Sequence, residues 1–177
     1  MPKRIEYFDY QNADAAGRAA YDARSKADGG YVTNMKKTLL RSLPAFKALM
    51  EWYPLRDECA KFLDRKAIAV FCHSISAQND CLICSMFFVR EFASLGVDLK
   101  SYEFTAEEDL LARYGRRLVE APNDVDDDLF GELSSRYTQE QIVALTAFGA
   151  VMIATNLINN ALNVELDEGL QVYAGGK

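Results

Sequence analysis

Cys81-Leu82-Ile83-Cys84 is the stretch on which the fold and the chemistry turn. It stands between a polar run, Ser74 to Asp80, and an apolar segment of helical pattern, Ser85 to Leu95. Two thiols at this spacing fall on one side of a helix. At a helix start they face unpaired backbone N–H groups and the positive end of the dipole, which favour thiolate. Asp80 is expected to cap that helix, because its carboxylate can accept a bond from the second or third helical N–H. Its charge works against a thiolate on Cys81, whereas Cys84, one turn further on, feels it less.

Outward from this stretch every segment carries helix signals. Upstream, Asp64 caps a helix from Arg65 to about Ala77, with Ala67, Ile68, Phe71 and Ile75 as its apolar stripe. Ala69, Val70 and Cys72 leave it few outward polar positions, so it is expected to be buried on most sides. Lys66, Ala69, His73 and Ser76 share a different face. Gly96 closes the CxxC helix. Asn12 or Asp14 caps a first helix to about Lys26, ended by Asp28-Gly29-Gly30. A short helix follows from Asn34 to Ser42. Leu43-Pro44 opens the next, which breaks near Pro54 and resumes to Phe62. Thr105-Ala106-Glu107-Glu108 is a capping box before a helix to about Val119, and Ala121 to Asp124 is a break. Val125 to Arg136 is a short acidic helix. Thr138-Gln139-Glu140-Gln141 is a second capping box and opens the longest helix, to about Asn163. No segment alternates with period two, so the reading is all-α, a bundle of about seven or eight helices with the CxxC at the N-terminus of a central one.

The 177 residues suggest one domain, 1–177, with residues 1–30 as a helical extension and a core of about 31–168. The net charge is -6, which leaves no broad cationic surface for phosphates and argues against nucleic-acid binding. The start has no apolar core of signal-peptide length, so a cytoplasmic protein is expected. The longest apolar run, Ile142 to Ala154, is interrupted by Thr146 and is too short to span a bilayer, so no membrane partner is expected. Four cysteines with one CxxC suit a cytosolic redox or metal site better than a disulfide scaffold.

The order of these pieces resembles the AhpD-like, or carboxymuconolactone decarboxylase-like, family. The matching residues are Asn34-Met35-Lys36-Lys37-Thr38-Leu39 with Pro44, the helix into Cys81-Leu82-Ile83-Cys84, and the acidic Val125 to Phe130. Tyr137 to Val143 and Asn156 to Leu166 complete the match, which covers about residues 30 to 168. The resemblance implies an all-helical homo-oligomer, a trimer or hexamer, with a dimer as a further option. It implies that Cys84 attacks a small peroxide, that Cys81 resolves the sulfenic acid as a disulfide, and that a dithiol protein restores the pair. Members with the family's proton relay have a Glu twelve residues before the first cysteine and a His four after the second. Here those positions are Ala69 and Phe88, and neither moves a proton.

Each candidate residue has a plainer alternative. The cysteine pair needs only one poised thiolate and a neighbour that traps the sulfenic acid; the alternative is two core thiols. Zinc wants four ligands, and beyond the pair only Cys59, Cys72, His73 and carboxylates are on offer, so no metal is expected. His73, the only histidine, is either a proton acceptor for Cys84 in place of the missing Glu or a hydrogen-bonded core residue. Ser74, Ser76, Gln78 and Asn79 are expected to satisfy local backbone bonds. Cys72 is expected to be a small core residue and Cys59 a surface or half-buried one. Phe88 makes the floor beside Cys84 apolar, which raises its pKa. Asn156, Asn159, Asn160 and Asn163 recur at helical spacing, as a paired buried stripe at an interface or helix end, or as a solvated face.

The expected function is therefore a thiol-dependent peroxidase or disulfide oxidoreductase with Cys84, Cys81 and His73 at its site. No organic cofactor is needed for that cycle, and no phosphate-cradling glycine loop is present. The alternatives are a non-enzymatic helical scaffold, or a lactone decarboxylase-like enzyme, for which His73 lacks a second acid/base group.

Overall fold

Side-chain caps fix where most of the helices begin. Asp14 accepts the Gly17 N–H at 2.7 Å and Asp64 the Ala67 N–H at 2.8 Å. Thr105 with Glu108, and Thr138 with Gln141, form two complete capping boxes. The computed structural model describes residues 2–175. Its helices are α1 Ala15–Ala27, α2 Asn34–Leu39, α3 Leu43–Met50, α4 Trp52–Cys59, α5 Arg65–Gln78, α6 Leu82–Ser94, α7 Ala106–Glu120, α8 Asp127–Arg136 and α9 Gln139–Ala161. A 3-10 turn, Glu168–Leu170, and a helical turn, Gln171–Ala174, follow. The described residues contain no strand, so the protein is all-α.

Besides the closing turns, the described residues hold nine helices against about seven or eight expected, and the Leu43–Cys59 stretch is in two pieces, as its expected break implies. The break falls at Glu51 and not near Pro54. Pro54 is the third residue of α4, where its missing N–H costs no helical bond.

α5 is the centre of the main core. It buries Ala67 to Cys72 without a gap, then Ile75, and packs against α6, α7 and α9. Gly115 of α7 lets the two backbones approach: a Cβ there would sit 3.1 Å from the Phe71 carbonyl oxygen. Residues from the segment 2–30 pack against the body. Phe8, Ala20 and Tyr21 cover a second apolar cluster of Val32, Leu39, Leu40 and Phe46. The Arg4 and Phe8 N–H groups donate to Leu162 and Lys37 carbonyls, both at 3.0 Å.

α9 is apolar on almost every side. At 23 residues it is long and apolar enough to cross a membrane by length and composition, which the shorter run read from sequence was not. Its packing is that of a core helix: Ile142, Leu145, Phe148 and Met152 are buried in the main cluster. Its outer face carries Val143, Ala147, Ala150, Ala154, Leu157 and Ala161, alternating by four and three. Val143 and Leu157 are each 68% exposed.

Candidate active site

One residue in a left-handed conformation sets the cysteine pair. Asp80 has φ +50° and follows the C-cap Asn79 of α5. The Cys81 N–H then donates back to the Ser76 carbonyl at 2.9 Å, the Schellman pattern that ends a helix. Cys81 is in turn the N-cap of α6. Asp80 thus terminates α5 and does not cap α6, contrary to its expected role. Asn and Asp are the side chains that tolerate this backbone best after glycine.

Both sulfurs are buried. Cys81 is fully enclosed, whereas Cys84, 6% exposed, reaches the wall of a cavity of about 460 Å³. The wall is mostly apolar, with Met50, Trp52, Phe87, Phe88, Met152 and Leu170. Asn159 of α9 joins the sulfurs: its Nδ2 donates to Cys84 Sγ at 3.3 Å and to Cys81 Sγ at 3.8 Å. Asn160 holds the same turn by donating to the Asn79 carbonyl at 2.8 Å. α9 ends on a second left-handed residue, Asn163, with the Val164 N–H bonded to the Asn159 carbonyl at 3.0 Å. Asn156 is fully buried, with neither amide atom bonded, and Asn159 Oδ1 is also unbonded.

The charge sits unequally on the pair. The Cys84 thiol donates to Cys81 and lowers its pKa to about 7, against the opposing cost of burial. Backbone N–H groups of Cys84 and Ile83 and the Asn159 amide add to this. Donating that proton, together with burial, raises Cys84 well above the ordinary thiol range. The negative charge therefore rests on Cys81 and the exposed edge belongs to Cys84. This is the reverse of the order expected from the charge of Asp80, which turns the chain and does not cap α6.

His73 takes no part in this cluster. Its ring packs edge-on to Phe92, with 5.9 Å between centroids, and it makes no hydrogen bond with Cys81 or Cys84. Burial lowers its pKa, so it is neutral near pH 7. Ala69 and Phe88 are buried apolar residues, and Phe88 lines the cavity beside Cys84. Ser74 and Ser76 lie inside α5, where Ser76 donates to the Cys72 carbonyl at 2.8 Å. Cys72 is buried as expected; Cys59 is buried too, not superficial, and burial pushes its thiol up to about 11. Among the described residues no three His, Cys, Asp or Glu side chains converge as a metal site. Asn159 is the site residue that residue types alone did not single out. Its signal was the asparagine stripe, whose buried half meets the thiols.

No protein-family model and no curated protein matches the chain. Solved structures do. A peroxidase-related protein from Ralstonia eutropha JMP134, described as an alkylhydroperoxidase AhpD core, superposes with a TM-score of 0.72 at 16% identity, covering 96% of this chain and 95% of that one. An uncharacterized peroxidase-related protein from Silicibacter sp. TM1040 gives 0.71 at 12% identity, covering 96% and 94%. A protein of unknown function from Agrobacterium tumefaciens, suggested to be an antioxidant defence protein AhpD, gives 0.58 at 23% identity over 72% of this chain and 93% of that one. With nearly the whole chain superposed and every element helical, this protein has the AhpD-like fold.

Proposed function

We propose that the protein is a thiol-dependent peroxidase of the CxxC type, working through Cys84 and Cys81. The observation that carries this reading is the shared amide: Asn159 bonds both sulfurs, and one of them opens onto an apolar cavity of ligand size. With Ala69 and Phe88 at the relay positions, the pair moves its own proton. Proton exchange across the sulfur–sulfur hydrogen bond puts the charge on Cys84 and the proton on Cys81. The Cys84 thiolate bonds to the terminal oxygen of R–O–O–H and the O–O bond breaks. The departing RO⁻ takes the Cys81 proton and leaves as ROH. Cys81, now a thiolate, attacks the Cys84 sulfenic acid; the disulfide forms and hydroxide leaves. A protein dithiol then returns two electrons by thiol–disulfide exchange.

Four free cysteines support a reducing compartment, the cytoplasm. The apolar stripe on α9 supports a homo-oligomer. In an antiparallel pair about a two-fold axis, Val143 faces Ala161, Ala147 faces Leu157 and Ala150 faces Ala154, so every large residue meets a small one. A two-fold contact suits a dimer, or a hexamer built as a trimer of dimers, and not a bare trimer.

Mass spectrometry after one equivalent of organic hydroperoxide tests the chemistry. The expected result is a Cys81–Cys84 link, reversed by dithiol and abolished in Cys84→Ser. Full retention of both thiols would favour a non-enzymatic scaffold.

A further inference from the structure

We propose that Asn159 binds the hydroperoxide itself, its Oδ1 accepting the terminal O–H while its Nδ2 holds the attacking sulfur. The inference rests on the peroxidase reading and specifies its substrate: a hydroperoxide with a free O–H and an apolar R group.

Three observations converge on that side chain. Asn159 is only 3% exposed, yet it lines the cavity together with Cys84. Its Nδ2 is spent on the two sulfurs. Its Oδ1 is buried and has no donor within the protein. A buried amide oxygen left unpaired is costly, and such groups are nearly always matched. Here the missing partner must be a donor that arrives beside Cys84 from the cavity. The terminal O–H of a hydroperoxide is such a donor, and it sits on the oxygen that the sulfur attacks.

The two ends of one amide then fix both reacting atoms. Nδ2 sets the sulfur, Oδ1 sets the oxygen, and the carbon between them holds the separation. The aliphatic part of the substrate lies against Met50, Phe87 and Met152. An amide does not titrate, so Asn159 orients and does not take the proton. A dialkyl peroxide has no O–H to offer and is excluded by the same contact. Asn156, one turn earlier, adds an unbonded donor and acceptor to the buried stretch, but only Asn159 reaches the cavity wall.

The test compares hydroperoxide with an alkylating agent, because alkylation needs the thiolate but no O–H acceptor. Rates of Cys84 modification by cumene hydroperoxide and by iodoacetamide are measured in wild type, Asn159→Leu and Asn159→Asp, each corrected for its own thiolate titration. Asn159→Leu has similar volume and no polar end; its hydroperoxide-to-iodoacetamide ratio is expected to fall about tenfold or more, the value of one lost hydrogen bond. Asn159→Asp keeps the acceptor but loses the donor that sets the sulfur; its titration moves up, and its ratio is expected to fall clearly less than that of Asn159→Leu. Unchanged ratios in every folded variant, or a fall in Asn159→Asp as large as that in Asn159→Leu, overturn the proposal. A wild-type protein that alkylates at Cys84 but ignores hydroperoxide overturns the peroxidase reading, and this inference with it.

Discussion

Cys81 carries a charge that three kinds of donor favour and burial opposes, which gives reactivity a direction in pH. Below about pH 7 both thiols hold their protons. As pH rises through that value the pair loses its first proton, and reactivity toward hydroperoxide rises with it. Thiolate ultraviolet absorbance against pH is expected to show this step in wild type. In Cys81→Ser the step disappears and Cys84 is left as a buried thiol of high pKa. Its alkylation near neutral pH falls by about tenfold for each unit of pKa gained. His73→Ala is expected to leave the step in place, since His73 touches Phe92 and neither sulfur. The two cysteines were legible from their spacing. Which sulfur holds the charge was not, because it depends on the handedness of one residue, Asp80, and on an amide 75 positions beyond Cys84.

Most helices begin where the sequence says, because caps are local chemistry: Asp64, Thr105 and Thr138 act as read, Asp14 is the one of the two candidates that caps α1, and only the expected cap of α6 by Asp80 fails. How closely the helices approach is not local. Gly115 and Gly131 both lie inside helices and look alike in sequence, yet they separate in the structure. A Cβ at Gly131 of α8 meets nothing within 4 Å, so Gly131→Ala is expected to gain up to about 1 kcal/mol from helix propensity. At Gly115 the same gain is opposed by the Phe71 carbonyl, a backbone atom that cannot swing aside. Overpacking of this kind costs about 1–3 kcal/mol, so Gly115→Ala is expected to lose stability by about 1 kcal/mol net. Urea unfolding midpoints of the two variants check the opposite signs. The asparagine stripe belongs to this scale as well. Its period was visible, but the choice between solvent and core waited on what α9 packs against: Asn156 and Asn159 turn inward, and Asn160 is exposed.

For the molecule as a whole, the covered and uncovered sides of α9 divide the site from its surroundings. A charge within the outer stripe is expected to separate the copies of the proposed two-fold pair. Leu157→Glu should shift light-scattering mass toward the single-chain value while leaving the helical circular dichroism intact. A wild-type protein that is already monomeric at micromolar concentration would remove the basis for the two-fold contact. The all-α class was legible because no stretch competes with helix. The cavity was not, since its wall comes from α2, α3, α4, α6, α9 and the closing turn, brought together only by the fold. That wall includes Trp52, the one tryptophan in the chain, with its ring 5.3 Å from Phe148. Indole emission therefore comes from a single known place, so the colour and intensity of the protein's own fluorescence should track what enters beside Cys84, in real time and without a label.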